Sequence, residues 1–110
     1  MCWLFVYGTL KRGNRRSLGN MYNKTQFLTE LTIGDYTLYK MPFRNAPVMV
    51  KAKGKKVKGE LWKIPQELLK TLDCREGTEK GWYTRVEIAG FQVYIWKHHT
   101  WFFKHLGESF

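Results

Sequence analysis

The chain has 110 residues, 44% of them hydrophobic and 25% charged, which suits one globular domain over residues 1–110 and is too little for two independent cores. The formal net charge is +10, and all of it lies in residues 1–58, where twelve Lys/Arg stand against Glu30 and Asp35; residues 59–110 hold seven charges of each sign. Cys2 and Cys74 lack motif spacing, no apolar run approaches transmembrane length, and Met1–Tyr7 has neither the length nor the basic start of a signal peptide, so a cytoplasmic protein with free thiols and no membrane partner is expected.

Trp3–Tyr7 reads as a buried first strand that breaks at Gly8 into a Gly/Thr loop, which turns basic at Lys11 and Arg12. A strand feeding such a loop leaves backbone N–H groups unpaired, and these can receive an anionic group such as a carboxylate. The same pattern also describes a plain turn. Arg12–Asn23 reads as a loop holding one short helix. Gln26–Ile33 and Tyr36–Met41 are strand-like, with Gly34-Asp35 as a hairpin turn between them, and the proline-containing stretch Met41–Pro47 is a loop. Val48–Ala52 and Val57–Ile64 read as paired strands around the basic turn Lys53-Gly54-Lys55-Lys56. The helix signal is Pro65–Glu76: Pro65 suits the first helical position, Leu68, Leu69 and Leu72 form an apolar stripe, and Gly77 suits the position past the end. Trp82–Ala89 and Phe91–Lys97 alternate as a hairpin around Ala89-Gly90, and His98–Phe110 has no clear period. The aromatic fraction of 16% favours a β-rich core or a pocket walled by rings. Strands interrupted by one helix suggest a curved or closed sheet with the helix packed on it.

Four segments, in order, resemble one known family. Val6-Tyr7-Gly8-Thr9-Leu10-Lys11-Arg12-Gly13 is similar to the opening motif of the γ-glutamylcyclotransferase-like (AIG2-like) family, and Val57-Lys58-Gly59-Glu60-Leu61-Trp62 to its mid-chain strand. Leu68–Asp73 with Glu76-Gly77 and Tyr83-Thr84-Arg85 resembles its helix, acidic residue and returning strand, and Tyr94-Ile95-Trp96 its last core strand. The resemblance implies an α+β fold, a small mixed β-barrel with flanking helices. It also implies an enzyme nearest the short γ-glutamylamine type, which cyclises a γ-glutamyl amine or γ-glutamyl amino acid to 5-oxoproline without cofactor or metal. In that reading Glu76 carries the proton, the loop Tyr7, Gly8, Thr9 and Leu10 grips the substrate's α-carboxylate, and Lys11, Arg12, Tyr83 and Tyr94 are pocket or rim candidates.

At a helix C-terminus, with Leu72 one turn earlier and the like charge of Asp73 three residues before it, Glu76 is expected to hold its proton more tightly than an ordinary glutamate. Arg75 opposes this if it pairs with the surrounding acids, and Arg85 is expected to brace the fold by pairing with an acid such as Glu60.

Two other readings stay open. A concave basic-rimmed barrel suits a non-catalytic binder of an anionic small molecule such as a signalling nucleotide. The basic half, through Lys11, Arg12, Arg15, Arg16 and Lys53–Lys58, also suits nucleic acid, although no nucleic-acid motif accompanies it. His98, His99 and His105 have no ligand spacing, and no metal site is expected.

Overall fold

The N-terminal apolar run forms β1 (Cys2–Val6), in which Leu4, Phe5 and Val6 are all buried. Burial of successive residues means that both faces of the strand are covered, as befits the middle of a sheet. The computed structural model describes residues 1–8, 11–13, 17–42, 47–76, 83–98, 100 and 103–110, with Glu76 described through its backbone. After β1 come α1 (Leu18–Met21), β2 (Gln26–Lys40), β3 (Pro47–Ile64), α2 (Leu68–Glu76), β4 (Tyr83–Ile88), β5 (Phe91–Trp96) and β6 (Lys104–Gly107). The strands lie in the order β4-β5-β1-β3-β2-β6. β1 runs antiparallel to β3, from Cys2 opposite Ile64 to Val6 opposite Glu60, and parallel to β5 at Leu4 opposite Gln92, so the sheet is mixed.

Alternation along β1 divides the core. Leu4 and Val6 join Leu18, Trp62, Ile64, Leu69 and Leu72 on the helix-covered face. Phe5 and Tyr7 join Ile33, Leu38, Met49, Val57, Phe91 and Val93 on the other. Leu72 is fully buried, a contribution of about 1.5–3 kcal/mol to holding α2 on the sheet. The helix starts three residues later than Pro65: Pro65 and Gln66 accept from the N–H groups of Leu68 and Leu69 in a turn that leads into it. Ser17 caps α1, its hydroxyl accepting from Asn20 N–H at 3.3 Å.

Two expectations about strands are corrected. Gly34-Asp35 is not a hairpin turn, and Lys53–Lys56 does not reverse the chain. Both lie within continuous strands, β2 and β3, which pair with each other from Gln26 opposite Lys63 to Lys40 opposite Pro47. The register jumps from Gly34 opposite Lys56 to Tyr36 opposite Lys51, so the extra residues of β3 form a bulge that bends the ribbon. Asp35 (φ 66°) and Gly54 (φ 80°) adopt left-handed backbone there, and the Asp35 carboxylate accepts Gly54 N–H at 3.1 Å. The hairpin between β4 and β5 does form at Ala89 (φ 49°) and Gly90 (φ 89°), which give the two positive φ angles of a type I′ turn.

The expected barrel is also corrected: the fold is α+β with flanking helices, but its sheet is open. Closure requires the two edge strands to pair with each other, and among the described residues no ladder joins β4 to β6. β6, in the stretch left unassigned from sequence, is four residues long and pairs instead with the outer edge of β2. Beyond it the Glu108 carbonyl accepts Lys58 N–H at 2.7 Å, so this segment straps the bent ribbon from β2 across to β3.

Candidate active site

The candidate site is built where β1 ends. Tyr7 is buried, its ring 6.4 Å from that of Phe5, and its hydroxyl donates to the Tyr94 carbonyl at 2.6 Å. Gly8 follows with no room for a side chain: a Cβ there would lie 2.8 Å from Cγ of Pro47, so only glycine lets the chain leave β1 against the start of β3. Lys11 N–H donates to the Gly8 carbonyl at 3.1 Å. Thr9 and Leu10, the rest of the expected carboxylate loop, lie outside the described residues.

Two links run from this exit to the other elements. Through Pro47, whose carbonyl accepts the Tyr83 hydroxyl at 3.3 Å, the Gly8 backbone is tied to the start of β4. Through Tyr94 it is tied to α2: the Tyr94 hydroxyl donates to Asp73 Oδ1 at 2.7 Å. Asp73 is further held by Arg85, with Nε to Oδ1 at 2.9 Å and Nη2 to Oδ2 at 3.1 Å, the fork geometry that suits a carboxylate. Arg85 and Tyr94 stand directly opposite each other in the β4–β5 register, and Arg85 also donates to Gln92 at 2.9 Å. Glu76 is the last residue of α2, three residues and so about 4.5 Å of helix rise beyond Asp73. The fold thus brings Tyr7, Gly8, Tyr83, Tyr94 and the C-terminal turn of α2 into one neighbourhood.

The charges around this neighbourhood differ from expectation. Arg85 pairs with Asp73 and not with Glu60, because β4 lies at the sheet edge with β5 and β1 between it and β3. The like charge expected to act on Glu76 from Asp73 is therefore balanced by a guanidinium. Arg75 reaches toward α1, with Nη1 3.4 Å from the Tyr22 hydroxyl and 3.2 Å from the Met21 sulfur. Of the rim candidates, Arg12 is committed elsewhere. Its N–H and Nε donate to the buried Glu60 carboxylate at 2.8 and 3.2 Å, and its guanidinium lies 3.6 Å over the Phe27 ring. Lys11 Nζ reaches the Phe110 carbonyl at 3.4 Å.

Sequence reasoning gave Asp73 too small a part: the β4–β5 hairpin already put Arg85 and Tyr94 side by side, but nothing in it said that α2 faces them. Trp96, read from sequence only as part of the last core strand, packs its ring on Tyr83 at 5.2 Å. The Trp96 indole N–H is buried without a hydrogen-bond partner among the described residues. His105 bonds Thr37 through Nε2 at 2.8 Å, and His98 packs against Trp96, whereas His99 lies outside the described residues. Among the described residues no three His, Cys, Asp or Glu side chains are grouped as a metal site, and no helix is long and apolar enough to cross a membrane.

Comparison with known proteins adds what geometry alone does not. A gamma-glutamylaminecyclotransferase C of Danio rerio is 36% identical over 91 residues, covering 77% of this chain and 59% of the relative, so the chain spans well under two thirds of that protein's length. The solution structure of protein ytfP from Escherichia coli superposes with a TM-score of 0.76 at 28% identity, over 96% of this chain and 92% of that one. An AIG2-like protein from Mus musculus gives a TM-score of 0.75 at 25% identity, over 100% and 88% of the two chains. The family model for gamma-glutamyl cyclotransferase, AIG2-like, matches residues 4–106, from the middle of β1 into β6. The chain belongs to that AIG2-like gamma-glutamyl cyclotransferase family.

Proposed function

We propose that this chain cyclises a γ-glutamyl amine or γ-glutamyl amino acid to 5-oxoproline and releases the attached amine, with Glu76 as the proton carrier. The observation that carries this reading is the double link from the exit of β1, through Tyr94 and Tyr83, to the end of α2 and the start of β4. It makes a rigid frame of the two segments that the reaction needs at a fixed separation.

In the reaction, the substrate's α-amino nitrogen attacks its own γ-carbonyl carbon. A new C–N bond closes the five-membered lactam, and the bond from that carbon to the departing amine breaks. The attacking nitrogen begins as an ammonium and ends as the lactam N–H, giving up two protons, and the departing amide nitrogen gains two as it leaves as an ammonium. A single carboxylate that takes and returns one proton at a time can carry both. Because nucleophile and electrophile belong to one molecule, holding the glutamyl chain bent does most of the work; well-oriented intramolecular reactions reach effective molarities of about 10⁵–10⁸ M. Proton transfer by a placed side chain adds roughly 10²–10⁴-fold.

In this reading the backbone N–H groups of the Tyr7–Leu10 loop receive the α-carboxylate, and Gly8 is needed because a side chain would push the loop off Pro47. Tyr83 and Tyr94 support the pocket wall. Asp73 and Arg85 neutralise each other and hold the helix end without offering a competing free charge. No cofactor or metal is required by the chemistry.

The test is a panel of γ-glutamyl amines and γ-glutamyl amino acids incubated with the protein, with 5-oxoproline read by mass spectrometry. Turnover of at least one member supports the reading. No turnover, together with a rise in melting temperature on adding nucleotides, would favour a binder built on the same fold.

A further inference from the structure

The cyclisation substrate is small and leaves the basic half of the chain without a role. Its densest part is β3 from Lys51 to Lys58, where five of eight residues are lysine. All five are exposed, and the segment carries the bulge at the bend of the β2–β3 ribbon. Opposing charge is sparse. Asp35 spends its carboxylate on Gly54 N–H, and Glu108 is shared between Lys56 at 3.8 Å and Lys58 at 3.4 Å. Lys51, Lys53 and Lys55 have no ion-pair partner among the described residues. At Gly34 and Gly54, in the bend, a Cβ would meet nothing within 4 Å, so the backbone there is open to a close approach. Lys58 continues the surface into an open cleft of about 380 Å³ that is also lined by Lys11, Gly59 and Ser109. Glu30 and Glu60 line it too, and both are engaged by Arg12.

We propose that the bent β2–β3 ribbon binds the phosphate backbone of a nucleic acid, without base readout, at a surface centred on the bend and not on the exit of β1. Lys56 and Lys58 pair regularly with β2 beyond the bulge, and alternate residues of such a strand stand about 6.6 Å apart, comparable to successive phosphates of an extended single strand. Lysines are point charges suited to phosphate contacts that position a strand without reading it. A protein partner fits less well, because lysine is depleted at such interfaces and the patch has no apolar anchor. An inserting membrane contact fits less well for the same reason: among the described residues the exposed large hydrophobics, Met1, Trp3, Met21 and Leu28, lie outside the bend.

The probe is a fluorescein-labelled 20-nucleotide oligothymidylate followed by anisotropy. Five lysine–phosphate contacts predict a slope of log K against log salt of about −3.5, or roughly 100-fold weaker binding between 50 and 200 mM salt. K51Q/K53Q/K55Q is expected to bind at least about tenfold more weakly in 0.1 M salt, with a slope near −1.4. The charge-matched K70Q/K97Q/K104Q, at exposed positions outside the bend, should keep affinity within about threefold. Glu108→Gln, which releases Lys56 and Lys58, should bind more tightly than the unaltered chain and supplies a test that loses no lysine. Equal losses in the two triple variants would reduce the effect to bulk charge and overturn the proposal. So would absence of binding at 50 mM salt, weaker binding by E108Q, or lysine-dependent binding to phosphatidylserine vesicles with none to the oligonucleotide. The assay needs no γ-glutamyl turnover, so its failure and the failure of the cyclotransferase reading are independent.

Discussion

Asp73 offers the sharpest test of how the candidate site is held. Among the described residues its carboxylate accepts hydrogen bonds from the Tyr94 hydroxyl at 2.7 Å and from Arg85 at 2.9 and 3.1 Å. The side chains of Asp73 and Arg85 are 22% and 29% exposed, so the pair is mostly shielded from water but not fully buried. Removing one partner of a fully buried pair costs about 3–5 kcal/mol, and hydrogen bonds to charged groups contribute about 1.5–3 kcal/mol. For Asp73→Asn, which keeps the shape and loses the charge, partial exposure brings the expected loss to about 2–3 kcal/mol. Tyr94→Phe removes one bond and should cost about 1–2 kcal/mol. With an unfolding entropy of about 2.1 cal/mol/K per residue, the Asp73→Asn loss lowers Tm by roughly 9–13 °C. Calorimetry on the two single variants and the double variant supplies both the magnitudes and their coupling, which should exceed about 0.5 kcal/mol because the two groups share a bond. Well below Tm, Tyr94→Phe should also lower kcat/KM about tenfold, since it loosens α2 relative to the exit of β1. A Tm drop under about 2 °C for Asp73→Asn, or strict additivity, would refute this view of the network.

Other substitutions probe the frame at separate points. A Cβ at Gly59 would run into the Val6 carbonyl oxygen and come within 2.6 Å of Phe5 Cζ, so Gly59→Ala should cost about 3 kcal/mol in urea unfolding, at the upper end of overpacking effects. The buried Glu60 carboxylate accepts from Arg12 and, at 3.1 Å, from the Trp62 indole; Glu60→Gln should lose about 1–2 kcal/mol and shift tryptophan fluorescence, while an unchanged urea midpoint would count against the contact. Burial pushes the Cys2 thiol up from its ordinary value, outweighing the N-terminal ammonium and Arg85, which act to lower it. Between the unfolded and folded values the native chain therefore holds more protons, so this contribution is complete below the unfolded value and is lost as pH rises through the folded one. Thermal melts across the alkaline range should show the unaltered chain losing stability that Cys2→Ser retains; parallel curves would contradict the shift.

How far the molecule could be read from its residues depended on whether a signal was local. β1, the body of α2 and the β4–β5 hairpin follow from apolar runs, a leucine stripe and Ala89-Gly90, each complete within a few residues. The ribbon misled because Gly34-Asp35 and Lys53–Lys56 carry ordinary turn chemistry. Whether such residues reverse a strand or only bend it depends on the partner strand, and that is a long-range choice. Arg85 was assigned the wrong acid for the same reason: strand order decides its reach, and order is not encoded near residue 85. Barrel closure was likewise a matter of two edges meeting, and the aromatic C-terminal stretch gave no period from which β6 could be seen. At the site, the family motifs located the exit of β1 and the end of α2. The Tyr94–Asp73–Arg85 bonds that join them needed the packed structure.

The central claim is that Glu76 moves the proton in cyclisation of a γ-glutamyl substrate. The most direct measurement compares 5-oxoproline formation by the unaltered protein and by Glu76→Gln, on the best substrate of the panel and at matched, verified folding. The account predicts that kcat falls by at least about 10²-fold, the low end of what a general acid–base contributes, while Tm stays within a few degrees. Undiminished turnover by the folded Glu76→Gln variant would contradict it.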